Sequence, residues 1–115
     1  MGLNQDRGRA GETIAAAYLA LLGWPAIQRN QDVGGVEVDL LAQDGRTRVI
    51  VEVKFRGRTD YGGAAAAVDR SKRERLLRAA AWLAARGAPV RIDAITIDLD
   101  GDGLRLRHIP NAVTA

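Results

Sequence analysis

Two runs of strand-forming residues, separated by a short polar turn, lie between Gly34 and Arg56 and constrain the fold more than any other part of the chain. Together they read GGVEVDLLAQDGRTRVIVEVKFR, which predicts a β-hairpin. Side chains alternate between the two faces of a strand, so each run sorts into two sets. The first run places Val36, Val38 and Leu40 on one face and Glu37, Asp39 and Leu41 on the other. The second run places Val49, Val51, Val53 and Phe55 on one face and Ile50, Glu52 and Lys54 on the other.

The length of the turn decides whether the carboxylates of the two runs meet, because directly opposed residues of an antiparallel pair point to the same side. A two-residue turn at 44–45 pairs Asp39 with Ile50 and leaves Glu52 diagonal to it. A four-residue loop at 44–47 pairs Asp39 with Glu52 directly. An odd-length loop without a bulge would mix carboxylates with valines, which a half-buried sheet resists. Both favoured registers place the Cβ atoms of the two acids roughly 5 to 8 Å apart, a spacing that can hold a divalent cation.

Two charged residues outside the hairpin favour the same location. Glu12 and Lys72 each lie at the head of the apolar stripe of a predicted helix, so they are expected to converge with Asp39, Glu52 and Lys54 at one end of the sheet. Plainer interpretations stand beside this one. A cross-strand salt bridge on a solvated sheet face is worth under about 1 kcal/mol, and an acid near a helix N-terminus is favoured by the helix dipole alone.

The whole chain, residues 1–115, is predicted to be a single α/β domain that is large enough to bury a core. Residues 1–7 are assigned to a flexible tail. A first helix follows from Gly8 or Arg9 to Leu22, whose side chain lies on the predicted buried stripe. No apolar segment is long enough to span a bilayer, so we expect a cytoplasmic protein without membrane contact. The length leaves oligomerisation open, including a homodimer.

The other predicted elements complete a mixed sheet between helices. A short edge strand covers 25–30 and the hairpin follows it. Asp69 is the predicted N-cap of a second helix that ends near Arg86. A strand at 90–99 is apolar on both faces, so it is predicted to lie between helices and to pair in parallel with the second hairpin strand through a right-handed crossover. A final short strand covers 104–109.

The composition restricts which chemistry the chain can perform. It has no cysteine, which excludes disulfides, zinc-thiolate sites and a thiol nucleophile. His108 is the one histidine, which rules out a multi-histidine metal site. Any metal ligands must therefore be oxygens, which favours Mg²⁺, Mn²⁺ or Ca²⁺ over zinc.

Most of the basic residues are arginines, and they cluster near the end of the hairpin and along the second helix. The formal net charge is only +3, but local fields matter more than the total. These clusters are candidates for a nucleic-acid-binding surface. A charged helix surface is also often only a solvated face, so that alternative stays open. The candidate nucleic-acid-binding residues are Arg56, Arg58, Tyr61, Lys72, Arg73 and Arg75.

Asp39 followed by Glu52-Val53-Lys54 resembles the core motif of the PD-(D/E)XK nuclease superfamily. Over roughly residues 7–112 the chain resembles more closely the YraN family of small bacterial proteins. The motifs that carry this resemblance are Gly11-Glu12, Arg29-Asn30, Glu37-Val38-Asp39-Leu40-Leu41, Asp44-Gly45, Val51-Glu52-Val53-Lys54, Val68-Asp69 with Lys72, Arg91-Ile92-Asp93 and His108-Ile109-Pro110-Asn111-Ala112.

The resemblance implies a restriction-endonuclease-like core and a set of roles. Asp39, Glu52 and the Val53 carbonyl would hold Mg²⁺ or Mn²⁺, Lys54 would position the attacking water, and Glu12 would complete the acidic cluster. Two functions stay open on this basis. One is a metal-dependent nuclease acting on DNA, with branched or single-stranded forms as candidates. The other is a non-catalytic nucleic-acid-binding or assembly module that retains the nuclease fold.

Overall fold

A computed structural model describes residues 3–57 and 69–115, and the chain in it begins with helix α1 (Leu3–Leu21). The other helix and the strands coincide with the apolar periodicity and the strand-forming runs from which they were predicted. The remaining elements, in chain order, are β1 (Gln28–Val33), β2 (Val36–Asp44), β3 (Thr47–Arg56), α2 (Arg70–Ala84), β4 (Val90–Asp100) and β5 (Gly103–Ile109).

The five strands form one sheet in the order β1-β2-β3-β4-β5. Neighbouring strands are antiparallel except β3 and β4, which are parallel and are connected through α2. This confirms the predicted meander of three strands, the crossover helix and the parallel pair. Asp69 caps α2 by accepting the Lys72 amide at 2.8 Å. The fold is thus a mixed α/β sheet flanked by two helices.

The sheet has a hydrophobic core on each face. On one face α1 buries Ala15 and Leu19 against β2, β3 and β4, and on the other α2 buries Leu76, Ala79 and Leu83. β4 contributes to both cores, which explains why its sequence is apolar on both sides. Neither helix of the described residues is both long and apolar enough to cross a membrane.

Three predicted boundaries in the first third of the chain differ from the structure. α1 begins at Leu3, so residues 3–7, assigned to a tail, are helical; they have no apolar periodicity, but their backbone continues a helix that is anchored further along. Leu22 is 48% exposed rather than buried, because α1 ends one residue before it. The first strand runs to Val33 instead of stopping at Asn30, since a tight turn at 34–35 follows directly.

The predicted alternation of β2 fails at Asp39. Val36 and Val38 pack in the α2-side core, whereas Leu40 packs in the α1-side core, so the three do not share a face. Asn30 lies between the β1 partners of Leu40 and Val38 and has φ 51°, a left-handed conformation that asparagine tolerates. The change of face in β2 therefore occurs opposite this residue, and the hairpin beyond it packs in the α2-side core.

The turn between β1 and β2 packs directly on α2. A methyl group added to Gly34 would come within 2.4 Å of Trp82 Cγ, and Gly34 has φ +60°. The guanidinium of Arg86 lies 3.4 Å from the centroid of the same indole ring. Only glycine meets both demands at position 34, because any side chain would be strained there and would clash.

Candidate active site

Asp39 and Glu52 face each other across β2 and β3. The ladder between these strands ends with the pair Leu40 and Val51, and Asp39 and Glu52 are the next residues beyond that pair. The Asp39 amide donates to Glu52 Oε2 at 3.1 Å, and the Val53 amide donates to Asp39 Oδ2 at 2.8 Å. Each carboxylate therefore accepts a hydrogen bond from a backbone amide of the opposite strand. These bonds hold the two side chains in a fixed mutual orientation.

The turn that produces this register differs in detail from both predictions. Asp44 pairs with Thr47, so the turn consists of two residues, 45–46. The predicted pairing of Asp39 with Ile50 is wrong, because a turn one residue further along shifts the register by two. The observed register is the one expected from the longer loop, in which Asp39 stands opposite Glu52.

Both carboxyl groups have a raised pKa. Burial is the largest cause for each, because a charge loses hydration when it leaves water. The Asp39 charge further raises the pKa of Glu52, whereas hydrogen bonds from the Val53 amide and from the Glu52 carboxyl lower that of Asp39. The positive charge of Lys72 lowers both pKa values and so favours the ionised pair.

The two predicted basic residues of the site have different surroundings. Lys72 Nζ lies 3.2 Å from Glu52 Oε1, which places a residue predicted to bind nucleic acid in an ion pair inside the site. Lys54 is exposed, and it has no ion-pair partner among the described residues. The structure thus supplies one lysine committed to the acidic pair and one that faces solvent.

Glu12 reaches the same location from α1. Its pKa is raised by burial first and by the Asp39 charge second. The helix can approach the sheet because Gly11 packs on Phe55, where a Cβ on the glycine would lie only 3.3 Å from the Phe55 Cβ. Arg29 links the middle of α1 to β1, with a guanidinium nitrogen 3.2 Å from the Arg9 carbonyl oxygen and 3.8 Å from Glu12 Oε1.

These groups surround a cavity of about 440 Å³, which we call the site cavity. Glu52 lies behind it with a side chain only 6% exposed. Among the described residues, no three acidic or histidine side chains form a ready metal-ligand group. Glu12 lines this cavity together with Asp39. The site cavity is lined by Arg7, Gly8, Glu12, Asp39, Val53, Lys54, Phe55, Gly57 and Lys72.

The predicted nucleic-acid-binding arginines have varied surroundings. Arg56 forms a two-point ion pair with Asp98, at 2.6 and 3.0 Å, since its planar fork matches a carboxylate, so this guanidinium is held inside the chain. Arg73 donates to the Thr114 carbonyl at 2.6 Å, and Arg75 is exposed. Two further candidates, Arg58 and Tyr61, lie outside the described residues.

A second polar cluster, which the sequence did not predict, lies on the α1 side of the sheet. Asp93 is fully buried and accepts two hydrogen bonds from Arg91, at 2.8 and 3.1 Å, and one from the Asn111 amide at 3.0 Å. His108 Nε2 is 2.7 Å from the same carboxylate, and its Nδ1 is 2.8 Å from the Tyr18 hydroxyl. The alternate spacing of Arg91 and Asp93 on one strand was the available signal, but their partners come from distant segments.

The described residues form a small α/β protein in which a five-stranded mixed sheet lies between two helices. An acidic pair and two lysines lie at one cavity of this protein. The profile of the uncharacterised protein family UPF0102 matches residues 11–97. The chain belongs to this family, which is the YraN family that the sequence motifs predicted.

Relatives match over nearly the full length of the chain. It is 43% identical over 114 residues to a UPF0102 protein of Geobacter sulfurreducens, covering 95% of this chain and 89% of that protein. It is 42% identical over 118 residues to a UPF0102 protein of Yersinia enterocolitica, covering 97% of each. A UPF0102 protein of Serratia proteamaculans is 43% identical over 110 residues, with 94% of each covered.

Proposed function

We propose that this protein is a metal-dependent nuclease that hydrolyses phosphodiester bonds in DNA, with branched or single-stranded forms as candidate substrates. The observation that carries the proposal is the Asp39–Glu52 pair, held face to face by two backbone amides beside a cavity that both lysines line. In this proposal the mixed sheet is a restriction-endonuclease-like core, as the resemblance to the PD-(D/E)XK motif implies.

Asp39, Glu52 and the Val53 carbonyl would hold Mg²⁺ or Mn²⁺. This donor set fits such ions, because they prefer hard oxygen ligands and are commonly held by one or two carboxylates together with water and substrate phosphates. The raised pKa of both carboxyls supports the fit, since a nearby cation relieves the repulsion of two buried charges. When bound, the cation supplies an activated water and neutralises charge on the phosphate.

The residues of the chain would then orient the reactants. Lys54 extends into the site cavity and has no acidic partner among the described residues, so its ammonium is free to orient a water and to stabilise charge that develops on a phosphoryl oxygen. Glu12, which lines the same cavity, would disfavour misplaced anions there. The buried position of Glu52 keeps one carboxylate away from competing water.

The DNA would contact the basic surface of α2. Arg75 and Arg78 are exposed there, and the Arg70 side chain is 94% exposed. If these residues meet phosphates, binding should weaken linearly in log-log form as salt rises, with a slope of several units. Charge reversal at Arg75 and Arg78 should flatten that slope in a fluorescence-anisotropy titration. If the affinity for DNA changes neither with salt nor with charge reversal, DNA is not the substrate and the proposal is wrong on this point.

The direct test is cleavage. Purified protein is incubated with labelled linear, nicked, single-stranded and branched DNA, with Mg²⁺, Mn²⁺ or a chelator. Wild type should cut at least one form with a divalent cation, and Asp39→Ala should abolish that activity. Asp102→Ala, at an exposed turn between β4 and β5, is the matched control and should retain full activity. Failure of the wild type to cut any form would refute the proposal.

A non-catalytic binding module has one observation in its favour. Lys72 already forms an ion pair with Glu52 at 3.2 Å, so the acidic pair is partly compensated within the chain. In a module of this kind the cluster would stabilise the sheet end and DNA would bind without being cut. The same cleavage panel, combined with the salt titration, distinguishes the two functions.

A further inference from the structure

Lysine is rare in this chain, and both lysines stand at one cavity. Fifteen of the 17 basic residues are arginine, and the other two, Lys54 and Lys72, line the site cavity. An arginine guanidinium is a rigid planar fork, whereas a lysine ammonium is a compact point charge on a flexible stem. Both of the basic side chains that can shift a compact charge by rotating about a flexible stem therefore line the site cavity.

The two lysines differ in what they contact. Lys72 Nζ lies 3.2 Å from Glu52 Oε1, with side chains 31% and 6% exposed respectively. Asp69 fixes the backbone of Lys72 by capping the helix at its amide. Lys54, in contrast, is exposed and has no ion-pair partner among the described residues. Within 3–57 and 69–115, the Lys72 ammonium is thus the one side-chain cation paired with the nearly buried acid.

We propose that Lys72 is the resident counterion of the metal-free site and that a divalent cation must displace it from Glu52 in order to bind. This rests on the proposed function, because it takes Asp39 and Glu52 as metal ligands. A magnesium ion sits about 2.1 Å from its ligand oxygens, so an ion on Glu52 Oε1 would compete for space with an ammonium 3.2 Å from the same atom. The two like charges would also repel each other. The partly exposed stem of Lys72 allows it to rotate away into solvent.

Calorimetric titration with Mg²⁺ and Mn²⁺ tests this without DNA. At about pH 8, well above the ordinary carboxyl range, Lys72→Met should bind metal at least tenfold more tightly than wild type, about 1.4 kcal/mol. Lys54→Met removes the same charge from the same cavity and should stay within about threefold of wild type, since it frees no ligand oxygen. Lys72→Arg keeps the charge and should not tighten binding.

A second measurement reports on the metal-free state. Without Lys72 the nearly buried Glu52 loses its counterion, so Lys72→Met should lower the melting temperature in chelator more than Lys54→Met does. Equal losses in the two variants would count against the counterion role.

The results separate this inference from the proposed function. Metal affinity that is unchanged in Lys72→Met, or tightened equally in Lys54→Met, overturns the counterion role even if the protein cuts DNA. Absence of metal binding in both wild type and Lys72→Met overturns it as well. Tighter binding in Lys72→Met alone, with no DNA form cut, supports the counterion role while refuting the nuclease.

Discussion

Replacing Asp93 by asparagine should destabilise this protein more than any surface substitution, because the carboxylate is fully buried among four donors. Arg91 supplies two of the hydrogen bonds, and the Asn111 amide and His108 supply the others. A carboxylate can only accept, so in the neutral imidazole the proton is assigned to Nε2, and Nδ1 then accepts from the Tyr18 hydroxyl. Asparagine keeps the shape but removes the charge and turns one acceptor into a donor that faces other donors.

The size of the loss follows from what remains in place. Removal of one partner of a buried charge pair costs about 3 to 5 kcal/mol, because the other charge is left uncompensated. The Arg91 side chain is 22% exposed and can recover some hydration, so the lower half of that range is expected, about 3 to 4 kcal/mol. For a domain of this length, each kcal/mol corresponds to roughly 4 °C, which gives a fall in melting temperature of about 12 to 16 °C.

Urea denaturation followed by circular dichroism measures this loss directly. Asp100→Asn is the matched control, since Asp100 forms an exposed pair with Arg105 at 3.4 Å and its side chain is 67% exposed. The control should change the free energy of unfolding by less than about 0.5 kcal/mol. A loss below about 1 kcal/mol in Asp93→Asn would show that the buried network is not stabilising and would refute this reasoning.

Three further outcomes are expected. Gly34→Ala should cost about 2 kcal/mol or more in urea denaturation, because of the positive φ and the clash with Trp82, whereas Gly35→Ala, with open space around it, should lose less. Lys54→Ala should lower the cleavage rate by about a hundredfold or more while DNA affinity stays nearly constant, and equal rates would contradict its role. In chelator the raised folded pKa of Glu52 contributes stability that is present below about pH 4, its unfolded value, and is lost as pH rises through the folded pKa. Glu52→Gln should therefore flatten the dependence of the free energy of unfolding on pH, measured by denaturation across pH. An unchanged dependence would contradict this expectation.

Most of the fold could be predicted from local sequence patterns. Period-two alternation and Asp44-Gly45 predicted the hairpin, and the Asp69 cap with the Leu76, Ala79 and Leu83 stripe predicted α2. These signals depend on neighbours within a few residues, so they can be read from the chain alone. The elements, their order and the parallel β3–β4 pair followed from them.

The geometry of the site depended on information that alternation does not contain. The exact turn position set the register of Asp39, and the left-handed Asn30 on the next strand broke the alternation beside it. Lys72 was predicted to converge with the acidic residues, but the sequence did not show that its ion-pair partner would be Glu52, 20 positions away on another element. Such pairs are fixed by how the helix lies on the sheet, which is a tertiary property.

Helix α1 connects the buried network to the candidate active site. Near its C-terminal end Tyr18 bonds His108, and near its N-terminal half Gly11 packs on Phe55 beside the site cavity. Glu12 and Tyr18 are six residues apart, about 9 Å along the helix axis, so a rigid helix held at one point transmits its placement to the other. The Asp93 network therefore has a consequence beyond stability, because it holds the helix that carries Glu12 at the site cavity.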